Sequence, residues 1–163
     1  DQGIHPDLFA AASRVNRGMR DQALSVVRAS LDGLRGKRVA ILGLAYKAGT
    51  DDIRDSPALA IAGDLHDADA FVKAYDPMVR RTQLARFDWL ELAATPLEAA
   101  CCADAVVVAT EWPQIAALDL AELARTMRGD VLVDGRALLS PTAARAAGLR
   151  YFGFGRGGPT ATE

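Results

Sequence analysis

Four short runs of nearly unbroken apolar residues constrain this chain more than any other feature. They are "VAILGL" from Val39 to Leu44, "AFVKAY" closing on Asp76-Pro77, "DAVVVAT" from Asp104 to Thr110, and "DVLVDG" up to Gly135. Runs this short and this apolar suit strands buried on both faces of a parallel sheet. Helical patterns lie between them, and three start with a good N-cap followed by proline: Ser56-Pro57, Thr95-Pro96 and Ser140-Pro141. "LDLAELARTM" reads as one more helix, "DWLEL" as a short third strand and "YFGFG" as a final one. Strands alternating with helices of about ten residues imply βαβ units and right-handed crossovers. The expected class is therefore α/β, a parallel sheet flanked by helices. One long helix from about Pro6 to Leu31 precedes it, closed by Gly33 and Gly36.

Composition narrows the function. The 163 residues are half hydrophobic and one quarter charged, enough for one globular domain with a proper core. A net charge of -2 offers no basic field for nucleic acid. No apolar run approaches the roughly 20 residues that cross a bilayer. The start, "DQGIHPDLFAAA", lacks the basic and apolar regions of a signal peptide. Cys101 and Cys102 are adjacent, with neither metal-ligand spacing nor a disulfide framework, and His5 and His66 have no ligand-spaced neighbours. These features fit a reduced, cytoplasmic protein with no metal. The cysteines fall in an alanine-rich stretch that reads as helix, where small buried thiols are common.

Ligands of such sheets bind beyond the carboxyl ends of the strands. That edge carries 44–55, Asp76-Pro77, Thr110–Pro113 and Asp134–Arg136. The first stretch, between Gly43 and the Ser56 cap, is twelve residues long, against roughly 2–6 for most such loops. It lacks the second and third glycines of a dinucleotide fingerprint, and it is not a P-loop. Cations can replace that backbone cradle: Lys47 as a point charge, Arg54 as a planar fork, with the start of the next helix adding a positive dipole end. Equally, Lys47 and Arg54 could close on Asp51, Asp52 and Asp55 as a self-paired surface loop. Arg136 ends another strand on the same edge and could reach the same anion, or stand as a surface arginine. Tyr46 offers a stacking face or a rim aromatic, and Trp112 a ligand contact or a packing residue.

The stretch "GLAYKAGTDDIRDSPAL" resembles the signature of the C-terminal domain of the nucleotide-sugar 6-dehydrogenases, the family of UDP-glucose, UDP-N-acetylhexosamine and GDP-mannose dehydrogenases. "AYDP", "DAVVVATEWPQ" and "VLVDGR" followed by "YFGFGR" match it in order, and "FAAASRVNRGM" is similar to the end of the family's central dimerising helix. "TEWPQ" and "VDGRALLSP" look most like the UDP-glucose branch; "KAGTDDIRDSP" also looks like the GDP-mannose branch. The resemblance implies a Rossmann-like domain over 36–158 that binds the nucleoside diphosphate of the substrate. Residues 1–35 would end a helical dimerisation domain, and 159–163 would be a frayed tail.

By the same resemblance, Tyr46, Lys47 and Arg136 are substrate contacts, and Arg54 contacts the NAD phosphates across the interdomain cleft. Tyr46 stands where phenylalanine is commoner, which keeps the stacking face. Enzymes of this family oxidise a sugar C6 alcohol to a carboxylate with two NAD, through an active-site cysteine in an upstream glycine-rich motif, and feed polysaccharide biosynthesis. Neither Cys101 nor Cys102 matches that motif, so no catalytic residue is expected in this chain. The implied partners are the nucleotide-sugar, the domains that carry the cysteine and NAD, and a second copy through the helical domain. A stand-alone module binding coenzyme A or a nucleotide is the rival expectation.

Overall fold

The structure, a computed structural model, describes residues 20–154. Its first element, α1 over 20–30, is the described part of the expected leading helix. Ala23 and Val27, one turn apart, bury its inner face. Asp32 and Gly33 then take positive φ values and stop it. The rest of that expected helix, and the tail, lie outside the described residues.

Six parallel strands follow: β1 Arg38–Leu42, β2 Phe71–Tyr75, β3 Glu91–Leu92, β4 Ala105–Val108, β5 Val131–Asp134 and β6 Arg150–Gly153. They lie in the order β3-β2-β1-β4-β5-β6. β1 pairs in parallel with β2 on one side and β4 on the other, Leu42 facing both Tyr75 and Val108. The chain thus builds outward from β1 in one direction, returns, and builds outward in the other. Such a reversal opens a crevice above the carboxyl ends of β1 and β4.

The helices are α2 Pro57–Asp67, α3 Pro96–Ala100, α4 Pro113–Ala116, α5 Leu120–Thr126 and α6 Pro141–Ala146. Ser56, Thr95 and Ser140 cap α2, α3 and α6 as expected, with proline in each first turn. Asp119 caps α5 by accepting from Ala121 and Glu122 N–H. The core is the sheet itself and the facing sides of the helices, with Ile41, Leu42, Leu65 and Leu132 all fully enclosed. Each such side chain contributes about 1.5–3 kcal/mol by leaving water.

The boundaries differ from the sequence expectations in four places. β1 stops at Leu42, because Gly43, at φ 92, turns the chain sharply. "DWLEL" pairs over only two residues, as the edge strand β3. Pro113 starts a short helix, α4, that the pattern does not announce. Finally, α3 ends at Ala100, so Cys101 and Cys102 are neither helical nor buried. They occupy the corner of a turn closed by Ala103 N–H to Ala100 C=O at 3.0 Å, with Cys102 at φ 60.

Candidate functional site

The site forms where the β1–α2, β4–α4 and β5–α6 loops meet. Gly43 begins it. A side chain there would place its Cβ 2.8 Å from Thr110 N, and the positive φ is hard on any L residue. Leu44 and Ala45 N–H both donate to the Asp76 carboxylate, at 2.8 and 2.9 Å. Thr110 Oγ1 donates to Ala45 C=O at 2.8 Å, and Ser56 Oγ to Leu44 C=O at 2.6 Å. Tyr46 N–H closes the loop on Asp52 C=O at 2.8 Å. The backbone beneath Tyr46 and Lys47 is therefore tied down on both sides, while Tyr46 itself is 46 % exposed.

A cleft of about 220 Å³ opens above this floor, bordered by Tyr46, Lys47, Pro57, Glu111, Arg136 and Arg20. Lys47 has no ion pair or hydrogen bond among the described residues. Arg136 is held by its own strand end: its N–H donates to Asp134, and its Nε to Ala109 C=O at 2.8 Å. Glu111 faces the same Nε at 3.1 Å. One terminal nitrogen reaches Tyr46 C=O at 3.5 Å, and the other has no hydrogen bond among the described residues. The Pro57 end of α2 adds the positive end of an eleven-residue helix. Arg20 is bound to Asp64 through two bonds of 2.6 and 2.9 Å.

Three of the four expected site residues, Tyr46, Lys47 and Arg136, thus share one cleft. Arg54 does not. It grips Asp52 through Nε at 2.9 Å and a terminal nitrogen at 2.7 Å, and it lies on a shallow outer surface with Thr50, Asp51 and Gln83. The hydrogen bond from Arg54 holds the Asp52 carboxyl down at about 2. Of the two loop cations, one is therefore self-paired and one is open. Trp112 is a buried packing residue whose indole N–H donates to Asp76 at 3.0 Å.

A larger cavity, about 610 Å³, lies at the other end of the sheet, among Arg38, Phe71, Lys73, Trp89, Glu91 and Cys101. Its Lys73 is taken by Glu91 at 2.8 Å and Glu98 at 3.7 Å, and His66 stacks flat on Trp89 at 4.1 Å. The hydrogen bond with Cys102 pushes the Cys101 thiol up, which keeps it in the less reactive protonated form. Sequence reasoning missed the roles of Asp76, Glu111 and Arg20 at the cleft. For Asp76 a signal existed, since an acid that ends a buried strand must find donors.

Strand order and a crevice at the reversal point define the class: a Rossmann-type domain whose first strand-to-helix loop carries side-chain cations and no glycine fingerprint. Residues 40–141 match the profile of the UDP-glucose/GDP-mannose dehydrogenase family, UDP binding domain; that span is most of the chain, and the chain belongs to this family. It is 42% identical over 150 residues to a UDP-glucose 6-dehydrogenase of Haloferax volcanii, covering 92% of this chain and 33% of that protein. A UDP-glucose 6-dehydrogenase of Rhizobium meliloti is 40% identical over 137 residues, 84% of this chain and 31% of the relative. The solved structure of a UDP-glucose dehydrogenase from Pyrobaculum islandicum superposes with a TM-score of 0.74 at 36% identity, over 88% of this chain and 31% of that one. The chain spans about a third of the length of these relatives.

Proposed function

We propose that this chain forms the nucleotide-sugar half-site of an NAD-dependent nucleotide-sugar 6-dehydrogenase that oxidises a sugar C6 alcohol to a carboxylate, with UDP-glucose as substrate. The observation that carries the reading is the open Lys47 beside a tethered Arg136 in the switch-point cleft. Two cations and a helix N-terminus match the charge of a diphosphate. Lys47 and Arg136 bind the diphosphate, and Tyr46 stacks on the sugar or base. Tethering of Arg136 through Nε leaves terminal N–H donors for phosphate oxygens. The names of the relatives favour UDP-glucose over GDP-mannose or an N-acetylhexosamine substrate.

NAD supplies the hydride acceptor of such a reaction. Among the described residues this domain fits it only at its margin. The glycine fingerprint is absent, and the carboxylate that ends β2 is buried. Arg54, outside the cleft, is the residue we assign to the NAD phosphates, from the interdomain side. Residues 36–158 are the binding domain and 1–35 the end of a dimerising helical domain, in a cytoplasmic enzyme of polysaccharide biosynthesis. The catalytic cysteine is supplied by another part of the protein.

Titration of the chain with UDP and, separately, GDP tests the half-site. Amide shifts confined to 44–55 and Arg136 with UDP alone are expected. A GDP preference would move the substrate to the mannose branch. Silence with both would remove the claim that this cleft binds a nucleoside diphosphate.

A further inference from the structure

In dinucleotide-binding folds with this strand order, the acid that ends the second strand accepts from a ribose hydroxyl. Here that residue is Asp76, and it is turned inward, 6% exposed. Oδ2 accepts from Leu44 N–H at 2.8 Å, Ala45 N–H at 2.9 Å and the Trp112 indole at 3.0 Å. Oδ1 accepts from Met78 N–H at 2.9 Å and Val79 N–H at 3.0 Å. Five donors fill the roughly four lone-pair sites of a carboxylate, so no acceptor remains for a ribose.

The donors on Oδ2 come from two loops far apart in the chain. Tyr46 and Lys47 directly follow Ala45, and Glu111, which holds Arg136, directly precedes Trp112. One oxygen atom therefore joins the loop that carries the open lysine to the loop that holds the arginine. Thr110 Oγ1 on Ala45 C=O is a second tie between the same two loops. All five donors are neutral N–H groups, so the carboxylate fixes geometry without neutralising a cation of the cleft.

We propose that Asp76 is a positioning residue for diphosphate binding: it touches no ligand, but it sets the spacing of Lys47 and Arg136 across the cleft. The inference rests on the half-site reading above. Asp76→Asn is the sharp variant, because either amide orientation puts an NH₂ against N–H donors. The measurements, on the full chain with UDP as probe, are affinity by calorimetry, the thermal midpoint, and the Trp112 indole N–H resonance, assigned with Trp112→Phe. In Asp76→Asn the indole resonance is expected to move and UDP affinity to fall about tenfold. Lys47→Ala is expected to cost less in that background than in the wild type, since coupled residues are non-additive.

A lower thermal midpoint with UDP affinity within twofold of wild type and an undiminished Lys47 effect would make Asp76 a purely structural residue and overturn the proposal. If Asp76→Asn does not fold, Trp112→Phe removes one tie and keeps the aromatic bulk: weaker UDP binding supports the proposal, and unchanged binding overturns it. Failure of the wild type itself to bind UDP sinks the half-site reading, and this inference with it. Failure of the variants alone to differ from a binding wild type sinks only the inference.

Discussion

At the carboxyl ends of the strands, the buried carboxylates of Asp76 and Asp134 accept from backbone N–H groups, an indole and a phenol. At the amino ends, the buried carboxylate of Asp104 accepts from Arg38 N–H and from the Arg128 guanidinium, at 2.8 and 2.7 Å. The first arrangement organises loops and leaves Lys47 open; the second neutralises a cation. Arg35 and Arg150 are ion-paired at the amino end too, with Asp69 and Asp130. The cavity there is the larger of the two, 610 against 220 Å³, yet its lysine is already bridged by two glutamates. What distinguishes the carboxyl end is therefore the state of its charges and not the size of its hollow.

The largest effect that bears on this contrast is expected at Asp134, which is fully buried. Asp134→Ala leaves the N–H groups of Arg136 and Leu139 without their acceptor. Each orphaned donor costs about 1–3 kcal/mol, so urea denaturation should show a loss of about 2–6 kcal/mol from these two alone. Asp104→Ala should cost less, because Arg128 is more than half exposed and can turn to water. The reverse order of the two variants would break the contrast.

Lys47→Ala comes next. With no partner to lose among the described residues, it should leave the denaturation midpoint unchanged while UDP affinity drops 10–100-fold, roughly 1.4–2.8 kcal/mol. Calorimetry and urea denaturation of the same variant check both halves. Equal losses of stability and binding would make Lys47 a structural cation.

The layered fold could be read from the sequence because buried parallel strands and Ser-Pro or Thr-Pro helix starts are local signals. Tyr46, Lys47 and Arg136 could be placed at the strand-end edge for the same reason. The split between Lys47 and Arg54 could not: both are cations on one loop, and only the folded backbone puts Arg54 over Asp52. Nor could the role of Asp76, whose indole donor lies 36 residues away, while Asp-Pro reads locally as a turn. Cys101 and Cys102 misled because an alanine-rich run suggests helix, and nothing local announces the positive φ at Cys102.

Acid should also act on the amino end, through Asp104. Burial pushes the Asp104 carboxyl up, but hydrogen bonds from Arg128 and Arg38 N–H outweigh it and hold the group below its ordinary 3.8. A depressed carboxylate lends its stability in full above the unfolded value and loses it as pH falls through the folded one. Below about pH 4 the wild type should therefore lose stability that Asp104→Asn lacks already, and the difference between their urea midpoints should narrow as the pH falls further. A constant difference would mean that Arg128 contributes nothing through charge.

The smallest effect is expected at Arg54, and it tests where the cleft ends. The Asp52–Arg54 pair is exposed and local in sequence, the kind of ion pair that contributes little to folding. Arg54→Ala should leave the denaturation midpoint and UDP affinity of the chain unchanged. Its one visible consequence should be at Asp52, whose carboxyl should rise from about 2 toward 3.8 once the guanidinium hydrogen bond is gone. Following that carboxyl by NMR titration distinguishes an intact neighbour from a rearranged loop. If Asp52 rises as expected and UDP affinity also falls, the diphosphate must reach over the rim to the outer surface. Lys47 and Arg54 would then work as one site, contrary to the split between an open and a paired cation.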